Sequence, residues 1–323
     1  MKKSLLWLIL ALMLVPVSGD IFAQDKYPAR PITVIIPVAA GSMQDLVTRA
    51  MADLFPKYAG QPLVIVNKPG SGGLIGGASL ATSKPDGYTL ATFSSTSAVP
   101  EIVSKLRPAS YTSKDVMPIA NLSGWLVVLV CNNDALYKSF NEFVAYAKKN
   151  PGKMTFGHSG VGNFYWMLGM AMAKDTGIEI KDVPFSGEAE YRTALLGNHI
   201  DVAALTYGGP SRELLQTKKF RALCTFEKNR IDELPDVPTI KEVVTEFKHG
   251  TSFIGLFAPK GTPEGVIARL SEITKKIVED PQFKENMKRI YMPIMYMDTK
   301  AFAAEVKRMG ENSMTFLREN NLL

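Results

Sequence analysis

The chain has 323 residues, 46% hydrophobic and 21% charged, with a formal net charge of +6. That length supports two domains of ordinary size, each burying its own core, and the composition excludes a disordered or low-complexity chain. Lys and Arg are scattered rather than gathered in a stripe, which argues against a nucleic-acid partner, while a mild positive field suits anionic solutes.

Residues 1–23 read as a cleaved secretory signal. Lys2 and Lys3 form a basic start, Leu5 to Val17 an apolar run too short to span a bilayer, and Ile21-Phe-Ala23 a small-residue cleavage site. The mature chain then starts at Gln24, and loss of Lys2, Lys3 and Asp20 takes the net charge from +6 to +5. No Cys near the cleavage site offers a lipid attachment point. No later segment approaches ~18 uninterrupted apolar residues. The expectation is a soluble, exported protein.

Beyond the signal, apolar runs of strand length alternate with helical patterns. The strands are expected at 32–37, 63–66, 88–93, 125–131, 154–157, 180–185, 200–206, 220–226 and 252–257. The helices are expected at 43–57, 74–83, 139–149, 163–175, 187–197, 210–217, 263–279, 281–289 and 299–319. This alternation predicts an α/β protein built from βαβ units with parallel sheets. The first junction runs from Ile32-Thr-Val-Ile-Ile-Pro37 into Ala39, Ala40, Gly41, Ser42 and Gln44, with Ser42 and Asp45 as a partial capping box. Leu46, Val47, Ala50, Met51 and Leu54 recur at helical spacing after it, so that helix buries one side. The next strand ends in Ser94, Ser95, Thr96 and Ser97, hydroxyls that would face the crevice at the carboxyl end of a strand. A second junction runs from Met154-Thr-Phe156 into Gly157, His158, Ser159, Gly160, Val161, Gly162 and Asn163, followed by Phe164, Tyr165 and Trp166.

Each junction aims unpaired N–H groups and the positive end of a helix dipole at one point, where a carboxylate or phosphate binds. Two such turns, in separate parts of the chain, suggest two lobes closing on one anion. Three consecutive helical positions cannot all point the same way, so at least one of Phe164, Tyr165 and Trp166 is expected in the cleft, Tyr165 or Trp166 before Phe164. An aromatic lining would favour an aromatic or elongated acid. The middle of the chain holds no Gly/Ser or Pro linker. Lobe I is therefore expected at 26–125 plus 251–323 and lobe II at 126–250, joined by two ordered strands, 125–131 and 252–258, that cross between lobes and act as the hinge. Cys131 and Cys224 are either two buried thiols or a disulfide. No His/Asp/Glu set has metal-ligand spacing, Gly70 to Gly77 fits no nucleotide-binding glycine pattern, and no cofactor is implied.

Several of these segments together resemble the tripartite tricarboxylate transporter substrate-binding proteins, the Bug or TctC-like family. The resemblance is carried by Tyr27-Pro-Ala-Arg-Pro-Ile-Thr33, Pro37-Val-Ala-Ala-Gly41, Val66-Asn-Lys-Pro-Gly-Ser-Gly-Gly73 and Lys84-Pro-Asp-Gly-Tyr-Thr-Leu90. It continues through Gly157-His-Ser-Gly-Val-Gly162, Val183-Pro-Phe-Ser-Gly187, Leu195-Leu-Gly-Asn-His-Ile-Asp201 and Gly255-Leu-Phe-Ala-Pro-Lys-Gly-Thr-Pro263. What it implies is a two-lobed periplasmic binding protein, not an enzyme. Such a protein holds a small carboxylate between the two turns and delivers it to membrane transporter subunits. The ligand class is a dicarboxylate, tricarboxylate or aromatic carboxylate, and the protein is expected to be a monomer.

This chain departs from the family pattern at Ser42-Met-Gln44, at Asn163, and at Trp166 where a His is usual. It departs again at Leu205-Thr206-Tyr207-Gly-Gly-Pro-Ser211, where many members carry an Asp-Asn pair; Thr206 and Tyr207 are then candidate contacts. The missing acid there counts against an amino-acid ligand. Two rival readings remain. A secreted serine hydrolase would use Ser159 in a near GxSxG turn, with His199 or His249 and Asp182 or Asp201. A receptor feeding a sensor rather than a transporter would have the same sequence.

Overall fold

The computed structural model describes residues 27–103, 108–248 and 252–319, so the expected signal segment 1–23 lies outside the described residues. The chain opens with β1 (Ile32–Ile36), α1 (Met43–Ala59), β2 (Leu63–Asn67), α2 (Leu74–Ala81), β3 (Thr89–Phe93), the short α3 (Ser95–Ala98) and β4 (Val116–Ser123). It continues through β5 (Val127–Asn132), α4 (Phe140–Lys149), β6 (Met154–His158), α5 (Phe164–Thr176), β7 (Ile180–Pro184), α6 (Glu188–Leu196), β8 (Val202–Thr206), α7 (Gly209–Gln216), β9 (Phe220–Thr225) and the short α8 (Ile240–Val243). It closes with β10 (Ile254–Pro259), α9 (Glu264–Glu279), α10 (Pro281–Arg289), β11 (Ile294–Met297) and α11 (Thr299–Glu319).

The strands form two separate sheets, ordered β11-β4-β10-β3-β1-β2 and β7-β6-β8-β5-β9. Their βαβ units make the parallel sets β2-β1-β3 and β7-β6-β8, as the alternation predicts. The sheets are nonetheless mixed, because β10 runs antiparallel to both its neighbours and so does β5. Period-2 alternation divides each strand between two packed layers. In the first sheet, Ile32 and Val34 pack with Phe55, Ile267 and Phe283, while Ile35, Ala91, Phe93 and Phe257 pack on the other side with Leu74 and Phe302. In the second, Leu129 and Phe156 share a core with Trp166 and Leu168, and Val128 and Val130 one with Tyr191 and Leu195.

The crossing between sheets differs from the sequence expectation. Strand β5 lies wholly in the second sheet and β10 wholly in the first. The described residues at the crossing are the short segment 124–126 and, ahead of β10, Ser252 and Phe253, none of them in a strand. These crossings touch: a Cβ on Gly124 would sit 2.3 Å from the Ser252 carbonyl oxygen and 2.8 Å from Met295 Sδ, so only glycine fits. Trp125 packs against the cores of both sheets. A further link comes from α11, whose Phe316 ring meets Trp166 of α5 edge-on, with centroids 6.1 Å apart. Lys174 of α5 pairs with Glu319 at the end of α11.

Strands β4 and β11 are not predicted from the sequence. Pro118 interrupts β4 and cannot donate to the ladder, and the pairing with β10 shifts register next to it, between Leu256 and Phe257. Strand β11 is a four-residue edge strand, half-buried throughout. Cys131 and Cys224 are free, buried thiols on the adjacent strands β5 and β9.

Candidate functional site

Strand direction brings the two junctions to one place. The carboxyl ends of β1, β3 and β4 lie at the same end of the first sheet, where Ile254 pairs with Ser123 and Gly255 with Phe93. In the second sheet, β6 and β8 run parallel and Thr206 at the end of β8 pairs with Val127, the first residue after the crossing. Both sheets therefore present their carboxyl ends toward segment 124–126, where ligands of open α/β sheets sit.

In the first turn, Ser42 caps α1 by accepting the Asp45 N–H at 3.3 Å. Asp45 is buried and does not face an anion. Its carboxylate accepts the Gly41 N–H at 2.8 Å, Arg49 Nε at 2.8 Å and Asn67 Nδ2 at 2.9 Å. Burial alone would raise its pKa, but the hydrogen bonds from Arg49, Asn67 and Gly41 outweigh that and hold it below the usual carboxylate range. Gly41, at φ +81°, thus contributes shape rather than a free N–H. Ala39 and Ala40 are exposed, and the N–H groups of Met43 and Gln44 open the helix without intrahelical acceptors. The Gln44 side chain is turned inward, donating to the Thr92 carbonyl at 2.7 Å, so it anchors α1 to β3 instead of reaching into the cleft. Ser94 and Ser95 follow β3, and their carbonyls accept from Ala98 and Val99 to form α3; Ser95 is buried.

In the second turn, Asn163 caps α5 by accepting the Trp166 N–H at 2.8 Å and donates its amide to Ser159 Oγ at 2.7 Å. Gly160 and Gly162 take φ of +116° and +80°, which brings the turn back onto the helix start. The N–H groups of Phe164 and Tyr165 are the orphan donors here. His158 is fully buried: Nδ1 accepts the Gly160 N–H, and Nε2 lies 3.3 Å from Asp182 Oδ2 without hydrogen-bond alignment. Burial lowers its pKa despite Asp182, so it is a neutral part of the scaffold. Tyr165 reaches across to Thr206, hydroxyl to hydroxyl at 2.7 Å. Thr206 in turn donates to Glu188 Oε2 at 2.8 Å. An acid of α6, at a position that no local motif marks, therefore stands beside segment 205–211.

A family model described as the tripartite tricarboxylate transporter family receptor matches residues 47–322. The chain belongs to that family. The receptor is 33% identical over 287 residues to a Cupriavidus necator protein described as "UPF0065 protein in gbd 5'region", covering 86% of this chain and 84% of that one. It is 31% identical to the Bordetella pertussis protein BugT, over 79% of this chain and 77% of its relative. A solved TctC solute-binding protein from Polaromonas superposes with a TM-score of 0.81 at 30% identity, covering 91% of this chain and 99% of that structure. The resemblance read from the sequence is borne out, and the fold is the two-lobed periplasmic binding fold. The family is one of solute receptors rather than enzymes. Among the described residues, no helix is long and apolar enough to cross a membrane.

Two candidate residues of the receptor point away from the turns. Trp166 is buried, packed on His158 and Phe316, with its Nε1–H donated to Asp182. Position three of the helix puts it over the core side, so it joins α5 to α11. Tyr207 follows Thr206 and, by strand alternation, turns to the opposite side, where its hydroxyl donates to Glu233. There it lines a cavity of about 1170 Å³ with Phe226, Glu227, Arg212, Tyr291 and Met292, a wall to which neither turn contributes. The three arginines of that cavity are paired, Arg212 with Glu233, Arg230 with Glu242 and Arg308 with Glu305. Its volume exceeds what a small anion needs, and it lacks converging helix N-termini.

The hydrolase reading finds no support in the geometry. Ser159 Oγ is engaged by Asn163, and His199 sits at the amino end of β8, the far end of the sheet from Ser159. His249 lies outside the described residues.

Proposed function

We propose that this protein is a periplasmic solute receptor that captures a small organic carboxylate between its two lobes and passes it to membrane transporter subunits, without chemistry. The carrying observation is the convergence of two helix N-termini, α1 and α5, from separate sheets toward one crossing. Each end supplies orphan N–H groups and about half a positive charge from its dipole. Nearby cations are already engaged, Arg49 with Asp45 and Lys68 with Ser79, so the anion would be held chiefly by backbone donors. Contacts on this reading come from Ala39, Ala40, Ser42, Ser94 and Ser95 on one side and from Ser159, Gly160, Gly162, Asn163, Tyr165 and Thr206 on the other. The crossings at 124–126 and at Ser252 would serve as the hinge, and the closed monomer would present a composite surface to the transporter.

Thermal-shift screening of the mature protein against carboxylates, neutral sugars and cationic amines tests this. Carboxylates should raise the melting temperature, and Ala40→Trp, at an exposed position of the first turn, should cancel that rise. Stabilisation by sugars or amines alone would exclude an anion clamp. Delivery to a sensor instead of a transporter would show as co-purification with a sensor domain in place of transporter subunits.

A further inference from the structure

We propose that the Tyr165–Thr206–Glu188 wall of the cleft selects carboxylates that also carry a hydrogen-bond donor, a hydroxyl or an ammonium, over plain carboxylates. This rests on the carboxylate-receptor reading above and names the substrate class more narrowly.

The direction of each hydrogen bond follows from counting protons. A carboxylate only accepts. Glu188 Oε2 takes both the Thr206 N–H at 3.2 Å and the Thr206 hydroxyl at 2.8 Å. Thr206 has a single hydroxyl proton, and it is committed there. Tyr165 must therefore be the donor in its 2.7 Å contact with Thr206 Oγ1. Burial, and then the charge of Glu188, push the Tyr165 phenol above its ordinary pKa, so its proton stays in that bond. The hydroxyls of this wall thus have no proton left to offer, only lone pairs. Glu188 Oε1 has spare accepting capacity, since its partners Arg192 and Ser211 both stand at 3.4 Å. The Glu188 side chain is 25% exposed, so a ligand can reach it.

The two turns are the reverse. They offer the amides at the starts of α1 and α5 and the Ser159 hydroxyl, whose oxygen accepts from Asn163 while its own proton is free. The cleft therefore has a donor pole for a carboxylate and an acceptor pole for something else. A plain acid satisfies the first and leaves the second facing hydrocarbon. A hydroxyl or ammonium satisfies both. Arg192 beside Glu188 offsets its charge, so a neutral donor is admitted as well as a cation.

The test is calorimetric titration of the mature protein with matched series: succinate, malate and aspartate; phenylpropionate, phenyllactate and phenylalanine. In the series that binds, the hydroxy or amino member should bind roughly tenfold or more tighter than the plain acid. Tyr165→Phe and Glu188→Gln should each shrink that ratio toward one. A lead for the hydroxy acid assigns a neutral donor, and a lead for the amino acid assigns the Glu188 charge. A plain acid that binds as tightly as its substituted partners overturns the inference while leaving the carboxylate receptor standing. Absence of binding by every acid removes both. Should a variant fail to fold, the wild-type ratio alone decides.

Discussion

Asp45→Ala removes the group that shapes the first turn. The side chain is buried and holds three donors: the Gly41 N–H, Asn67 Nδ2 and Arg49 Nε. Hydrogen bonds to a charged group are each worth about 1.5–3 kcal/mol. Gly41 is exposed and can recruit water, so the lower end applies to it and to Asn67, about 3 kcal/mol together. The Arg49 side chain is 47% exposed, which reduces its ion pair to about 0.5 kcal/mol. The total is about 3.5 kcal/mol, and for about 300 residues losing about 2.1 cal/mol/K each it lowers the melting temperature by about 6 °C. Releasing Gly41 also loosens residues 38–42, so carboxylate affinity should fall by about tenfold through lost preorganisation. Circular-dichroism melting and calorimetric titration read the two effects. The folded pKa of Asp45 is depressed, so the stability difference is fully present above about pH 4 and disappears as pH falls through the folded value. A melting temperature within about 1 °C of wild type, with unchanged affinity, would refute the claim that Asp45 organises the turn.

Phe316→Ala deletes a buried ring packed on Trp166 and should cost about 3–5 kcal/mol, read as a lower denaturation midpoint; a shift under about 1 kcal/mol would mean that α11 does not brace α5. Glu227 is pushed up to about 8 by burial, against the opposing hydrogen bond from the Val127 N–H. The folded state keeps that proton to about pH 8, whereas the unfolded chain loses it near about 4.5, so stability should fall as pH rises between these values. Glu227→Gln should flatten that fall in urea titrations run across the range. Gly124→Ala would press a Cβ against the Ser252 carbonyl and should shift both crossings, which small-angle scattering with and without ligand would register as a changed extent of closure.

Local chemistry made much of the fold legible. Ser42 before α1 and Asp298 before α11 mark helix starts because capping needs only neighbouring atoms, and Pro263 marks the start of α9 because its fixed φ suits a helix entry. The apolar runs of β1, β3 and β5 mark buried strands for the same reason. The missed strands carry the opposite signal: β4 contains Pro118 and Asn121, and its place between β10 and β11 comes from pairing with chain more than a hundred residues away. The crossing differs from the sequence expectation because a long apolar run reads as one strand, whereas Trp125 and Leu126 precede β5 and form part of the crossing.

The sequence by itself determined the α/β class, the family and the two glycine-containing strand-to-helix turns. Each of these depends on short-range spacing: strand, small residues, cap, helix. Only the tertiary structure decided what each side chain in those turns does. Gln44 and Trp166 turn inward because Thr92 and Asp182, brought near by sheet pairing and helix packing, satisfy their polar atoms. Thr206 and Tyr207, adjacent in sequence, part to opposite sides of a strand and meet Glu188 and Glu233. A buried polar atom goes where its partner is, and those partners come from other parts of the chain.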